Sequence, residues 1–403
     1  MSDKGVRPLP VESARGRSGL LVWYRYIPLV LLLIAVVVMA GVGITTKARS
    51  TPAAPAAVAE QVAPAGLPEV CSPGVDQGLV AEPWLDPALL DSSEAQFQAA
   101  TQNADPVYVT GRDGWAFWND GQVNDLSQSL GRVSLDPAGV DAWATYFSTL
   151  QTIAAESGSS FYVVIAPAKW DVYPQQLADW AQPLRGTVSF DKLRAAHPEL
   201  PLIDTRTALR EASESTNTYT PLNSHWNGYG AYVAWDQITQ CLTTNETALA
   251  GISAPEISGI SGGPDHNEYA AQGLVAAGAD DWKTPDYEHL PTTVTSLESG
   301  TMIADIPDNI VDLTLLPVRT HTDGAQSDKS LLVISDSTST SLSPLMSQSF
   351  ADTVMYQHNV GVPARDVDFR RIVSQHPSDV TLFVMTERYL GFPPPIIPGA
   401  PAV

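Results

Sequence analysis

The chain has 403 residues, and 44 % of them are hydrophobic, enough for a substantial core, so wholesale disorder is excluded. Twenty-two Lys and Arg stand against 44 Asp and Glu, a formal charge of −22; binding a phosphate backbone needs the opposite sign, which argues against a nucleic-acid partner. With only two cysteines, Cys71 and Cys241, a disulfide-rich mini-domain and a Cys-based zinc cluster are both excluded.

Residues 1–26 form a basic tail, and Ile27 to Ile44 follow as an uncharged apolar run. At 1.5 Å per residue that run approaches the lower limit for spanning a bilayer. Lys4, Arg7, Arg15, Arg17 and Arg25 precede it, and only Lys47 and Arg49 follow closely. The positive-inside bias therefore predicts a transmembrane signal-anchor over 27–44, a cytoplasmic N-terminus and an exterior domain. A cleaved signal peptide is the alternative, but the basic stretch is long for one and no small-x-small site closes the run. Beyond residue 50 the charge is 15 basic against 42 acidic residues, a composition that repels polyanions. Residues 45–70 read as an Ala/Pro-rich spacer. Outside the cytoplasm a Cys71–Cys241 disulfide is permitted; two unpaired thiols are the other possibility.

Over 71–392 short apolar runs alternate with amphipathic stretches. Strands are predicted at Phe161–Pro167, Leu200–Asp204, Leu331–Ser335 and Val380–Met385, each a continuous apolar run suited to burial on both faces. Helices are predicted at Asp141–Ser157 and Gly230–Leu242. Alternating β and α predicts an α/β fold with a parallel sheet flanked by helices, its chemistry at the C-terminal strand ends. Residues 244–328 are Gly/Ser/Asp-rich and read as an insertion, and 393–403 as a Pro-rich tail.

Two segments carry chemistry. In LLVISDSTSTSL a polar turn follows a buried strand, so Ser337 sits where a nucleophile would be exposed, with Asp336 and the backbone N–H groups beside it for an oxyanion; capping is an equally ordinary role for both residues. In NSHWNGYGAYVAW, His225 precedes a helix, and an extended backbone points Asn223 and His225 to one face. A serine needs a base within reach, and the base needs an orienting partner. Spacing does not show that these parts meet.

Five blocks in order resemble the SGNH-hydrolase-like (flavodoxin-like) domain of the alginate O-acetyltransferase family, AlgJ/AlgX type: VYVTGRDGWAFWND, FYVVIAPAKWDVYPQQL, NSHWNGYGAYVAW, LLVISDSTSTSL and DVTLFVMTERYL. The resemblance implies Ser337 as nucleophile, His225 as general base and Asn223 where the family has an acid. Ser335 replaces the glycine before Asp-Ser, and the sequence leaves open whether another acid reaches His225. The implied reaction is acetyl transfer to a cell-envelope or secreted polysaccharide, with a membrane-bound O-acyltransferase supplying the acetyl group. A carbohydrate esterase of the same fold and a non-catalytic glycan-binding or scaffold protein are the alternatives. Trp115, Trp118, Lys169, Trp170, Tyr173 and Trp226 fall in blocks the resemblance sets near the site, where they can contact a sugar or pack in the core. No metal or other cofactor is implied: there is no HExxH, and His266 lacks ligand spacing.

Overall fold

The structure is a computed structural model describing residues 66–79, 81–263, 266–274 and 281–397. The anchor expected at 27–44, with its basic tail and nearly all of the 45–70 spacer, lies outside the described residues. Among those described, no helix is long and apolar enough to cross a membrane.

After helix α1 (Leu90–Thr101), strands β1 (Tyr108–Thr110) and β2 (Ala116–Trp118) pair antiparallel. Helices α2 (Asp125–Ser129) and α3 (Pro137–Glu156) lead to β3 (Ser160–Ala166). Asp136 caps α3 by accepting from the Gly139 N–H, and Pro137 suits the first turn because its missing N–H would have no helical partner. Then come α4 (Lys169–Val172), α5 (Ser189–Ala196), β4 (Leu202–Ile203), α6 (Arg206–Ser213) and α7 (Gly228–Asn245). A hairpin of β5 (Gly259–Gly263) and β6 (Trp282–Asp286) precedes β7 (Thr292–Ser296), β8 (Met302–Ile303) and β9 (Val318–Thr322). The chain closes with β10 (Ser327–Ser335), α8 (Ser343–Ser349), β11 (Phe350–Gln357), α9 (Phe369–Gln375) and β12 (Val380–Thr386).

The main sheet runs β4-β3-β12-β10-β11-β9-β7-β8. Its first five strands are parallel, as the apolar runs predict. The expectation of an all-parallel sheet needs correction: β9, β7 and β8 add on antiparallel, so the sheet is mixed. These three strands come from the 244–328 stretch. Their sequences, such as VRTHT with burial alternating at every residue, show period-two patterning rather than an apolar run, as befits strands outside the helix-covered centre.

Strand periodicity sorts the core into two layers. Phe161, Val163 and Ile165 of β3, with Leu332, Ile334, Phe383 and Met385, meet the α3 stripe Trp143, Phe147, Leu150 and Ile153 on one face. Tyr162, Val164, Val333, Leu382 and Val384 face the other way, toward Ala231, Ala234, Trp235 and Ile238 of α7. Cys71 and Cys241 form a disulfide with Cα atoms 4.6 Å apart, joining the start of the domain to the far end of α7.

Candidate active site

The parallel strands β3, β10 and β12 end at one rim, and each hands a segment to it. Past β10, Asp336 caps a 3₁₀ turn over Ser337–Ser339. Its Oδ1 accepts from the Thr338 N–H and hydroxyl, and its Oδ2 from the Thr386 N–H at the end of β12 at 2.7 Å. Burial would raise this carboxyl, but the side chain of His358, the Thr338 contacts and the Thr386 N–H hold it far below the usual carboxylate range. Of the roles the sequence offers Asp336, oxyanion, turn or cap, the structure shows the cap: it is the acceptor that shapes the turn. Ser335 also finds a role: its buried Oγ lies 2.6 Å from the Ser339 Oγ, so the hydroxyl that replaces glycine points inward and ties the turn to the strand end.

His225 arrives from the segment before α7. Asn227 caps that helix on the Gly230 N–H at 2.8 Å, while its own N–H bonds the Thr218 carbonyl. Gly230 is required here, since a Cβ would lie 2.2 Å from the Thr218 oxygen. Trp226 then donates from Nε1 to the Thr338 carbonyl at 3.0 Å, locking the histidine segment onto the serine turn.

The result is a chain of three side chains. His225 Nε2 stands 2.8 Å from the Ser337 Oγ, and its Nδ1 stands 2.7 Å from the Glu268 Oε1. A carboxylate only accepts, so Nδ1 carries the proton and the Nε2 lone pair is left for the serine hydroxyl. Glu268 Oε2 also accepts from the Ser224 N–H. Desolvation opposes its charge, yet the contact with His225 and the hydrogen bonds from Ser224 together hold its pKa at about 2. Asn223, the expected orienting partner, holds the backbone more than the ring. Its Oδ1 accepts from the His225 N–H at 2.9 Å and lies 3.2 Å from Nδ1, and its Nδ2 donates to the His266 carbonyl.

Glu268 is the acid that sequence reasoning missed. It lies 43 residues past the histidine, in the stretch read as an insertion, and no spacing rule ties GPDHNE to the histidine block. His266, in the same segment, packs its ring edge-on against Trp282 at 4.5 Å and lends only its carbonyl to Asn223.

Of the two roles open to the aromatic and lysine residues of these blocks, burial favours packing. Trp115, Lys169, Tyr173 and Trp226 are all buried, at 5 % exposure or less, and their side chains brace the site; of these four, Lys169 also lines the depression beside it. Lys169 Nζ donates to the Pro221 carbonyl at 2.7 Å, and the Ala116 N–H bonds the same oxygen, joining the first two blocks to the chain just ahead of the histidine block. The Tyr173 hydroxyl accepts from the Thr218 N–H at 2.8 Å, and Trp170 donates to Asp125. Of the six, only Trp118 keeps appreciable exposure; with Lys169, Trp170, Tyr269, Ser224 and Arg388 it lines a narrow depression.

The family described as "SGNH hydrolase-like domain, acetyltransferase AlgX" matches residues 108–311, just over half of the chain. No curated protein matches. Among solved structures, a DHHW family protein from Eubacterium siraeum is 15 % identical over 71 % of this chain and 95 % of its own, with TM-score 0.49. Bacillus cereus PatB1 is 15 % identical over 71 % of this chain and 97 % of its own, with TM-score 0.48. The O-acetyltransferase domain of Pseudomonas putida AlgJ is 14 % identical over 71 % and 93 %, with TM-score 0.43. With the family match spanning β1 through the histidine segment and the Glu268 strap, the chain belongs to the AlgX-type family of SGNH hydrolase-like acetyltransferases.

Proposed function

We propose that this protein is a membrane-anchored O-acetyltransferase that places acetyl groups on a cell-envelope or secreted polysaccharide through a Ser337 acyl-enzyme. The observation that carries the reading is the Ser337–His225–Glu268 chain, with contacts of 2.8 and 2.7 Å. His225 Nε2 takes the Ser337 proton as Oγ attacks the acetyl carbonyl carbon. The tetrahedral adduct collapses to the acetyl ester, and the leaving oxygen recovers the proton from His225. A sugar hydroxyl then gives its proton to His225, attacks the ester and leaves acetylated, restoring Ser337. Glu268 stabilises the imidazolium formed twice in this cycle, the charge that Asn223 alone would not supply. That favours catalysis over a decayed, merely glycan-binding site.

The apolar run at 27–44 and its flanking charges support a single membrane-spanning anchor with the acidic domain outside the cytoplasm. A tethered exterior transferase needs its acetyl group delivered across the bilayer, which suits a membrane-bound O-acyltransferase as donor partner. The test is acetyl release from a chromogenic acetyl ester, with and without added glycan. Wild type should be covalently labelled at Ser337 by a sulfonyl fluoride, Ser337→Ala should be inert, and glycan should gain acetyl. Equal turnover by Ser337→Ala would overturn the nucleophile; turnover with water alone would make the protein an esterase.

A further inference from the structure

An acyl-enzyme mechanism is accelerated by each preorganised donor aimed at the carbonyl oxygen as it becomes an oxyanion. The serine turn is short of them. The Thr338 N–H is used by the Asp336 carboxylate and the Ser339 N–H by the Asp336 carbonyl; among the described residues only the Ser337 N–H has no acceptor in the turn.

Arg388 supplies what is lacking. It lies two residues beyond Thr386, whose N–H bonds Asp336, so its chain position is beside the serine turn. Its Nη1 reaches toward the Ser224 Oγ at 3.5 Å, next to His225, and its guanidinium sits 5.8 Å from the Tyr389 ring centroid. Burial opposes its charge, but attraction from Asp125, Tyr389, Glu268 and Asp336 outweighs that and holds it charged. Yet among the described residues no carboxylate comes within ion-pair distance, because each of the three is committed elsewhere: Asp125 to Trp170, Glu268 to His225 and Ser224, Asp336 to Thr338 and Thr386. The Ser224 and Tyr389 hydroxyls account for only part of the five N–H donors of this half-buried guanidinium; on the wall of the narrow depression it shares with Trp118, Lys169, Tyr269 and Ser224, it has donors left to receive an oxygen that the resting protein does not contain.

We infer that Arg388 is a catalytic residue, the second oxyanion donor: together with the Ser337 N–H it binds the acetyl carbonyl oxygen as Ser337 attacks. As the C–Oγ bond forms, the carbonyl π pair moves onto that oxygen, and the serine proton passes to His225. Arg388 stabilises the new negative charge until the leaving group departs. This assignment rests on the acyl-enzyme reading above.

The experiment compares wild type, Arg388→Gln and Arg388→Lys on an aryl acetate and on its thiono analogue, whose sulfur accepts hydrogen bonds poorly. Arg388→Gln should lower kcat by roughly 10²–10³-fold, the usual loss of one oxyanion donor, with KM changed little. Arg388→Lys should fall between, because the charge remains and the fork does not. The preference of wild type for oxo over thiono ester should shrink in Arg388→Gln, which a merely structural role would not produce. Unchanged kcat in Arg388→Gln, or a loss with the preference intact, overturns the assignment while leaving Ser337 labelling and acetyl release in place. Failure of the wild type to release acetate through Ser337 would instead strike the reading beneath it.

Discussion

Replacing Glu268 by Gln isolates the charge behind His225. The carboxylate accepts from both the His225 Nδ1–H, at 2.7 Å, and the Ser224 N–H, at 2.9 Å. Glutamine has one oxygen, so one of these donors would face an NH₂ group and the imidazolium would lose its counter-charge. With charge centres about 4 Å apart and an effective dielectric near 20, the lost attraction is about 4 kcal/mol, equivalent to roughly 10³-fold in kcat. Removing the carboxylate charge in a Ser-His-Asp triad costs about 10⁴-fold. The smaller figure is expected here because the Asn223 Oδ1, 3.2 Å from Nδ1, can still hold the tautomer. The assay is steady-state kcat on an aryl acetate across pH 5–9. Adding Asn223→Asp to the Glu268→Gln variant should recover part of the loss by placing a charge at that 3.2 Å position. A Glu268→Gln enzyme with kcat close to that of wild type would refute the triad.

Three stability effects follow from other parts of the fold. Arg206 is fully buried and bridges Asp171, Asp204 and Asp191 at 2.8, 2.7 and 2.9 Å; Arg206→Met should cost about 3–5 kcal/mol in urea unfolding, since it strands buried carboxylates, and an unchanged unfolding free energy would contradict that. Burial lifts the Asp125 carboxyl to about 6, so the folded state prefers it protonated; its penalty is fully present above about pH 6 and fades as pH falls toward its unfolded value of about 3.9. Asp125→Asn should therefore raise Tm relative to wild type at pH 8 and gain little at pH 4; a pH-independent difference would show that this carboxyl is not the cause. The disulfide spans 170 residues, and loop-closure entropy gives an upper figure of about 5 kcal/mol, so a Cys71→Ala/Cys241→Ala chain should unfold at clearly lower denaturant, and an unchanged midpoint would contradict it.

How much was legible in sequence differs by element. Strands β3, β4, β10 and β12 are readable because burial on both faces demands unbroken apolar runs, as in FYVVIA and LLVIS, and helix α3 because its stripe repeats at helical spacing. Strands β7 to β9 are not, since short Thr-rich segments at the margin of a sheet gain their structure from the neighbour they pair with. Ser337 and His225 stood out because a strand-turn-helix junction and a histidine beside a capped helix are local patterns. The aromatic and lysine residues of the opening blocks could be assigned to neighbourhood but not to burial, which depends on what packs over them.

Legible in the sequence alone are the acidic character of the domain, the apolar segment ahead of it, the β-α alternation and two members of the Ser337–His225–Glu268 hydrogen-bonded chain. All of these depend on composition or on residues within a few positions of one another. Only the tertiary structure decided which carboxylate stands behind His225, why Asn223 need not supply that charge, and where Arg388 has donors to spare. The physical reason is that hydrogen bonds between side chains are set by distances of about 3 Å in space, and a 43-residue separation along the chain carries no trace of them.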